Sequence, residues 1–336
     1  MQELPLLIPP HAKVLAVTGN HCRKLAGELL PGAVFAPPVQ AELPLEDAQK
    51  VLDAGRVAGA DAVVAIGGGS VMDAGKTAAA LLPLEGSVKE YFYGKKSVPG
   101  KGVWFAACPT TAGTGAEMTS NAVLCDRETG IKQSLRHPSM TADLVLADPC
   151  LTYGSPAAVT ASSGFDALVQ AAEASISRKA NTVTLALSLV AATQIFENIA
   201  KAVKDDRQAR IRVAEASMMT GMAFAQSGLG AVHGIAHPLG SLCHVPHGIA
   251  CAVLFTAVMK RNMPCASVLE GMFGSDPLAR FAELRRECGI PDNFRQYGLK
   301  ESHFSFIVRH CRSGSMKCNP VELQDEDVTD ILKEVL

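Results

Sequence analysis

The chain has 336 residues, 48% of them hydrophobic and 19% charged, and its formal net charge is −2 at pH 7. This length favours two domains over one, because single hydrophobic cores stop growing near the upper end of ordinary domain size. The scattered basic residues exclude a field that recruits nucleic acid or anionic lipid, and the lack of a run of about 18 uncharged apolar residues excludes a predicted membrane span.

Short β-branched runs alternate with helical stretches in the first half of the chain. This is the pattern of βα units and a mainly parallel sheet. Strands are predicted at residues 13–18, 34–36, 61–66, 103–107 and 144–147. Helices are predicted near 20–30, over 46–59 and from 70 to about 82. The runs 122–125 and 131–134 flank a turn-forming segment and predict a hairpin.

The composition changes after residue 150. Alanine, leucine and methionine dominate residues 155–259, with apolar residues at helical spacing and few strand signals. The predicted fold is therefore an α/β nucleotide-binding domain over residues 1–150, with a mainly parallel sheet, followed by an all-α domain over 151–336. A cleft between two such domains is the default ligand site.

A glycine-rich turn follows the strand at 61–66. Gly67-Gly68-Gly69-Ser70 lets the backbone approach a phosphate, and the helix that follows supplies free N–H donors and a favourable dipole. Two common phosphate motifs fail on spacing: Ser70 stands where a P-loop needs glycine, and Met72 stands where the dinucleotide fingerprint needs its third glycine. Glycines that serve only a tight turn are the alternative interpretation.

A second loop, at residues 109–117, follows the strand at 103–107. Its sequence, PTTAGTGAE, is dense in hydroxyls and glycines. Threonine hydroxyls and exposed amides are suitable donors to phosphate and ribose oxygens, so this loop is predicted to contact the same nucleotide. A purely structural turn is the alternative.

Four of the nine histidines lie between residues 233 and 247. His233 and His237 stand four residues apart, on one face of a predicted helix. Pro238 and Gly240 are expected to stop or kink that helix, so that His247 returns to the same neighbourhood. Imidazoles held in this way are common ligands of zinc or ferrous iron.

A carboxylate for such a metal is available in the apolar segment 164–173. Burial of Asp166 is costly unless it is paired or bound to a cation. Glu173 is expected either to be buried and paired in the same way, or to cap the helix or form an ion pair at its surface.

Together these motifs resemble the iron-containing (group III) alcohol dehydrogenase family, from about residue 13 to the C-terminus. The matching segments, in the family's order and approximate spacing, are Gly67-Gly68-Gly69-Ser70-x-x-Asp73, the 109–117 loop, Gly164-x-Asp166-Ala167-Leu168, and His233-Gly-x-x-His237 through Pro246-His247-Gly248. The resemblance implies a dehydroquinate synthase-like architecture, with NAD(P) in the cleft between a nucleotide domain and a helical metal domain. It also implies a small aldehyde or primary alcohol as the substrate.

The resemblance assigns roles to individual residues. Asp166, His233 and His247 match the metal ligands, and His237 matches a position near the nicotinamide and the substrate. The positions that match nucleotide contacts are Gly68, Gly69, Ser70, Asp73, Thr110, Thr111, Thr114 and Lys132. Those that match the substrate pocket are Asn121 and Phe224.

One metal-ligand position departs from the family pattern. The family's alcohol dehydrogenases usually carry a fourth ligand, a histidine four residues after the aspartate, where this chain has Gln170. A glutamine oxygen coordinates weakly, and the related glycerol dehydrogenases hold zinc with three protein ligands. Asp166, His233 and His247 with a water therefore predict a site for Fe²⁺ or Zn²⁺. The related maleylacetate reductases work without metal, so a metal-independent reductase stays open.

A second departure concerns the cofactor. Gly19 falls where NAD-preferring relatives have an aspartate for the adenosine ribose. Without that carboxylate a 2′-phosphate is not repelled, and Arg23 or Lys24 adds attraction, so NADP is expected to suit at least as well as NAD. The N-terminal segment is shorter than usual in the family, which leaves a homodimer through that edge an open expectation.

The N-terminus and the cysteines favour a cytoplasmic location. The start of the chain contains Glu3, Pro9 and Pro10, and it lacks the charged start and apolar stretch of a signal peptide. The ten cysteines include no C-x-x-C pair, so we expect reduced and mostly buried thiols.

The predicted activity is metal-assisted hydride transfer between a nicotinamide and a small aldehyde or alcohol, with His237 relaying the proton. The chemical alternatives are a lyase or cyclising synthase on the related fold, and a catalytically inactive nucleotide-binding or regulatory relative. The retained acidic and histidine cluster favours an enzyme, because a pure nucleotide binder has no use for it.

Overall fold

The computed structural model describes residues 1–265 and 267–336. The chain folds into two compact units. One comprises Met1–Thr111 and Ala116–Leu151, and the other comprises Ala112–Gly115 and Thr152–Leu336. Each unit surrounds its own apolar core.

The first unit is built on a parallel sheet, as predicted. Its strands are β1 (Val14–Thr18), β2 (Val34–Phe35), β3 (Ala62–Gly67), β4 (Trp104–Pro109), β5 (Asn121–Asp126), β6 (Ile131–Arg136) and β7 (Leu144–Val145). Five of them form the sheet in the order β2-β1-β3-β4-β7, and each neighbouring pair is parallel. Every residue of β3 is buried, which explains its continuous apolar run. The predicted hairpin is confirmed as the antiparallel pair β5–β6.

Five helices accompany these strands in the described part of this unit. They are α1 (Leu4–Leu7), α2 (Arg23–Leu29), α3 (Leu45–Ala58), α4 (Gly69–Leu81) and α5 (Val88–Phe92). Helix α3 ends at Gly59, whose φ of +61° is the left-handed conformation that glycine adopts most easily. Helix α4 lies against β3 and is buried over most of its length.

The second unit is helical, which confirms the prediction from its composition. Its helices are α6 (Ala157–Ile176), α7 (Thr182–Val203), α8 (Arg207–Ser227), α9 (Ala231–Cys243), α10 (His247–Asn262), α11 (Ser267–Phe273), α12 (Pro277–Glu287), α13 (Phe304–His310) and α14 (Asp325–Glu334). Helices α6, α7 and α8 pack against one another, and α10 packs on α6 and α9. The core of the unit lies among these helices.

Pro238 and Gly240 were expected to stop or kink their helix, and the structure shows that they do not stop it. Helix α9 continues through Pro238 to Cys243. One proline removes a single backbone hydrogen bond, and the buried side chains of Ile235 and Leu239 on either side hold the helix in the core. The helix instead ends at His244, whose φ is +52°, and α10 then begins at His247.

One described helix, α7, is long and apolar enough to cross a membrane by length and composition alone. Ser188, Ala192 and Ile195 are buried in the packing of α7 against α6 and α8. One face of α7 thus contributes to the core of the second unit.

Candidate active site

Three helices of the second unit bring the predicted metal ligands together. Asp166 lies on α6, His233 on α9 and His247 at the start of α10. The Oδ1 atom of Asp166 is 3.3 Å from Nε2 of His233 and 3.7 Å from Nε2 of His247. Ligand atoms about 2.0–2.1 Å from a tetrahedral ion lie about 3.3 Å from one another, so these spacings suit a single small cation.

A glycine allows the close approach of α10 to α6. Gly248 follows His247, and a Cβ built on it would overlap the backbone carbonyl oxygen of Ser162. Any larger residue would therefore push the first turn of α10 away from α6 and carry His247 away from Asp166.

Glu173 orients one of the two histidines that are predicted to bind metal. Its Oε2 lies 2.6 Å from Nδ1 of His233, and its Oε1 accepts a hydrogen bond from the backbone N–H of Val232 at 2.6 Å. Glu173 is only 1% exposed and lies about two turns after Asp166 on α6. When the Nδ1 proton of His233 is donated to this carboxylate, the Nε2 lone pair faces Asp166. Such carboxylate–histidine pairs are typical supports of metal ligands.

The electrostatics of the cluster are those of a cation site. A neutral His233 held by Glu173 presents a lone pair to the carboxylate of Asp166, which is stable only if a proton or a metal ion lies between them. Burial lowers the pKa of His233, but the neighbouring Cys251 and Glu173 outweigh burial and raise that pKa well above its usual value. Burial raises the pKa of Asp166, but His247 and His233 outweigh burial and lower that pKa. A divalent cation satisfies the same acceptors in place of the protons.

Gln170, at the fourth ligand position of the family pattern, carries a buried amide oxygen. Gln170 lies one helical turn after Asp166 and is 3% exposed. Its Oε1 atom has no hydrogen-bond partner among the described residues, although buried amide oxygens are usually satisfied. The role of Gln170 as a metal ligand stays a prediction.

The structure adds a residue that the sequence interpretation missed. Cys251 stands four residues after His247 on α10 and is fully buried. Its Sγ, together with one ligand atom each from Asp166, His233 and His247, belongs to a group in which all atoms lie within 4.8 Å of one another. The i, i+4 spacing from a predicted ligand was the signal available in the sequence. We instead expected it to be one of many inert buried thiols.

His237 adjoins this group. Its ring stacks on the ring of His247, with centroids 5.1 Å apart and an angle of 17° between the planes. His237 is half-buried, one turn after His233 on α9. The density of histidines in this segment therefore corresponds to a real cluster, from which His244 turns away to solvent.

The predicted nucleotide loops of the first unit lie at one edge of its sheet. Gly19, Gly68 and Thr110 follow the carboxyl ends of the neighbouring parallel strands β1, β3 and β4. The Thr110 N–H donates to the Gly67 carbonyl at 2.9 Å, which joins the two loops. Gly68 caps the N-terminus of α4 without a side chain, so the helix presents free backbone donors. Ligands of open parallel sheets bind at this edge.

The other residues predicted to bind the nucleotide and substrate have structural partners or lie half-buried. Asp73 accepts from the Val123 N–H at 3.0 Å and pairs with Lys76 at 3.0 Å, which ties the hairpin to α4. Lys132 pairs with Glu42 at 3.2 Å. The remaining positions are the half-buried Gly69, Ser70, Thr111, Asn121 and Phe224, and the exposed Thr114. Their ligand roles stay predictions.

The surroundings of Gly19 bear on the choice of cofactor. Its φ of −83° and ψ of 173° are open to any residue, and a Cβ here would meet ordinary contacts at 3.8 Å or more. The guanidinium of Arg23 donates to the Ala36 carbonyl at 2.9 Å and lies over the ring of Phe35. Arg23 is thereby held at the same edge of the sheet.

A parallel sheet with glycine- and threonine-rich loops, together with a helical unit that carries a carboxylate–histidine cluster, is typical of nucleotide-using metalloenzymes. Comparison with known families identifies the class further. Residues 3–149 match the iron-containing alcohol dehydrogenase family, and residues 160–336 match the C-terminal region of the same Fe-containing family. The chain therefore belongs to the iron-containing alcohol dehydrogenase family.

Individual relatives agree with this assignment. Alcohol dehydrogenase 4 of Saccharomyces cerevisiae is 34% identical over 287 residues, which cover 81% of this chain and 75% of the yeast protein. The crystal structure of a 1,3-propanediol oxidoreductase is 31% identical, with a TM-score of 0.90 over 97% of this chain and 92% of that one. The sulfoacetaldehyde reductase of Bifidobacterium kashiwanohense, solved in complex with NAD⁺, is 26% identical, with a TM-score of 0.92 over 100% and 93%. The predicted family, fold class and dehydrogenase activity are confirmed.

Proposed function

We propose that this enzyme reduces a small aldehyde to a primary alcohol, and catalyses the reverse oxidation, with NAD(P)H and a divalent metal. The observation that carries the proposal is the position of the buried Asp166 carboxylate, whose Oδ1 lies 3.3 Å from Nε2 of the buried His233 and 3.7 Å from Nε2 of the half-buried His247. When bound, the metal supplies Lewis acidity toward the substrate oxygen, and the nicotinamide supplies the hydride.

The protein's part is to position these groups and to exclude water. In this proposal residues 151–336 hold the metal, with Glu173 orienting His233 as a ligand. Residues 1–150 bind the nucleotide through the backbone donors of Gly68 and Ser70 and the hydroxyls of the 109–117 loop. Holding the nicotinamide carbon close to the substrate carbon raises the rate, because the entropy cost of bringing the two together is met on binding and not in the reaction step.

His237 is proposed to carry the proton between the substrate oxygen and solvent. Its ring stacks on the metal-ligating ring of His247, and it is half-buried whereas His233 is enclosed. An imidazole can both accept and donate a proton, as this role requires. His237→Ala should lower turnover and change its pH profile, and an unaltered rate and profile would refute this role.

The cofactor is proposed to be NADPH at least as readily as NADH. Gly19 offers no carboxylate to repel a 2′-phosphate, and the Arg23 guanidinium lies at the same edge of the sheet.

A homodimer and a cytoplasmic location remain our predictions for the cell. Size-exclusion chromatography with light scattering tests the predicted homodimer.

The decisive experiment measures NADPH and NADH oxidation with a panel of short aldehydes. The protein is stripped with a chelator and resupplied anaerobically with Fe²⁺ or Zn²⁺. Activity lost on stripping and restored by one metal supports the proposal. Activity that survives complete stripping would establish the metal-independent alternative, and silence of the folded, nucleotide-binding protein under every condition would overturn the proposed activity.

A further inference from the structure

We propose that Cys251 is the fourth protein ligand of the metal, taking the place of the histidine that Gln170 replaces, and that its thiolate makes this a zinc site. The inference rests on the proposed function only in that the same metal serves the reaction, with the substrate oxygen as a fifth ligand, a coordination number that catalytic zinc sites reach. The cluster that supports it is Asp166, His233, His247 and Cys251.

The first argument is distance. The Sγ atom of Cys251 lies 3.7 Å from Nε2 of His247. A sulfur about 2.3 Å and a nitrogen about 2.0–2.1 Å from a tetrahedral zinc ion are about 3.6 Å apart. No ligand atom of the four is more than 4.8 Å from another, so one ion reaches all of them with small side-chain adjustments.

The second argument is the helical framework. His247 and Cys251 occupy consecutive turns of one face of α10, and Asp166 and Gln170 occupy consecutive turns of α6. The packing of α10 on α6 therefore presents two possible sources for the fourth ligand, one from each helix. Cys251 is fully buried in the apolar core of the unit, as is usual for a structural thiol. Its sulfur nevertheless also lies within 4.8 Å of one ligand atom each of Asp166, His233 and His247.

The third argument is ligand chemistry. A neutral amide oxygen such as Oε1 of Gln170 is a weak ligand, whereas a thiolate is among the strongest ligands for zinc. The thiol loses its proton to solvent when the metal binds, as other cysteine ligands do. A set of one carboxylate, two imidazoles and one thiolate selects zinc over the harder ferrous ion.

The experiment compares chelator-stripped wild type with Cys251→Ser, Gln170→Ala and Cys243→Ser. Cys243 is the matched control, since its Sγ also lies 3.7 Å from a histidine nitrogen, that of His303, but outside the cluster. Co²⁺ is titrated as the probe, and thiolate-to-cobalt charge-transfer absorption is recorded in the near ultraviolet. Zn²⁺ affinity is measured by competition with a coloured chelator, and circular dichroism checks that each variant is folded.

We expect the charge-transfer band in wild type and Cys243→Ser and its complete loss in Cys251→Ser. Zinc affinity of Cys251→Ser should fall about 100-fold or more, since even residues that only support a ligand contribute roughly 10–100-fold. Equal Fe²⁺ and Zn²⁺, offered together without oxygen, should load wild type with zinc, and Cys251→Ser should lose that preference.

Other outcomes overturn the inference. A wild-type cobalt complex without the band excludes the thiolate as a ligand. Zn²⁺ affinity that falls in Gln170→Ala but not in Cys251→Ser assigns the fourth position to the amide oxygen. Absence of metal binding removes the site altogether. A thiolate-bound metal in a protein that reduces no aldehyde would instead refute the proposed function and leave the ligand assignment standing.

Discussion

The loops predicted to bind the nucleotide and the cluster predicted to bind metal are built in opposite ways. In the first unit the loops after β1, β3 and β4 offer mainly backbone N–H groups and hydroxyls at one edge of a sheet. In the second unit the cluster consists of side chains that come from three helices separated by up to about 85 residues in sequence, from Asp166 to Cys251. A site made of backbone leaves a local signature of glycines, whereas a site made of side chains depends on how the helices pack.

The greatest loss of activity is predicted for substitution of Asp166 in the carboxylate–histidine cluster. Asp166→Asn keeps the shape of the side chain but removes the anion that both histidines face. We expect kcat/KM for aldehyde reduction to fall roughly 1000-fold, because metal-assisted charge stabilisation contributes several kcal/mol. Steady-state kinetics and metal analysis measure this. Asp330→Asn on the exposed face of α14 is the control, and a variant at position 166 within a few-fold of wild type would contradict the assignment.

The next prediction tests what supports the loops of the first unit. Glu117 is 4% exposed at the end of the 109–117 loop, and burial raises the pKa of its carboxyl from 4.5 to about 7, although Lys76 opposes the shift. Between these values the folded protein binds more protons than the unfolded chain, so the free energy of unfolding decreases as the pH rises from about 4.5 to 7. Above pH 7 the ionised carboxylate of Glu117 lowers the free energy of unfolding by about 3 kcal/mol.

Glu117→Gln should therefore stabilise the protein at pH 8 and leave its stability at pH 4.5 nearly unchanged. Urea unfolding at several pH values measures the difference. Glu128→Gln, at an exposed position in the hairpin turn, is the control for loss of one charge. If Glu117→Gln keeps the wild-type dependence on pH between 4.5 and 7, the buried carboxyl is not its source.

A smaller loss of metal affinity is predicted for substitution of Glu173, which contacts the predicted ligand His233 but is not itself a predicted ligand. Glu173→Gln keeps a hydrogen-bond acceptor near Nδ1 of His233 but removes its charge. We expect Zn²⁺ affinity to fall by roughly 10–100-fold, the range typical of residues behind a metal ligand. Chelator competition measures it, with Glu215→Gln on α8 as a surface control. Unchanged affinity would mean that Glu173 only satisfies the N-terminus of α9.

The smallest predicted effect is a change in cofactor preference when Gly19, in the loop after β1, is substituted. Gly19→Asp should shift the ratio of kcat/KM for NADPH to that for NADH about tenfold toward NADH, which corresponds to about 1.4 kcal/mol. The new carboxylate repels a 2′-phosphate and accepts the ribose hydroxyls. The backbone and surroundings of Gly19 admit the side chain. Gly27→Asp on α2, where a Cβ meets open space, controls for charge, and an unchanged ratio would place the adenosine ribose elsewhere.

Several features were predictable because their causes are local in the chain. The continuous apolar run at 61–66 predicts a fully buried parallel strand, and β3 is one. The turn-forming residues between 125 and 131 predict the β5–β6 hairpin, which is present. Pro238 shows the limit of such reasoning, since its local preference against helix is outweighed by the burial of its neighbours on α9.

The two kinds of architecture and the glycine and threonine loops were predictable from the sequence, because periodicity and turn residues act over a few residues, and the family resemblance supplied Asp166, His233 and His247. Tertiary packing places Cys251 beside these three residues and Glu173 beside His233. Those contacts depend on how closely α10 and α9 approach α6. Packing of helices far apart in the chain, including the space that Gly248 leaves beside Ser162, decides that distance.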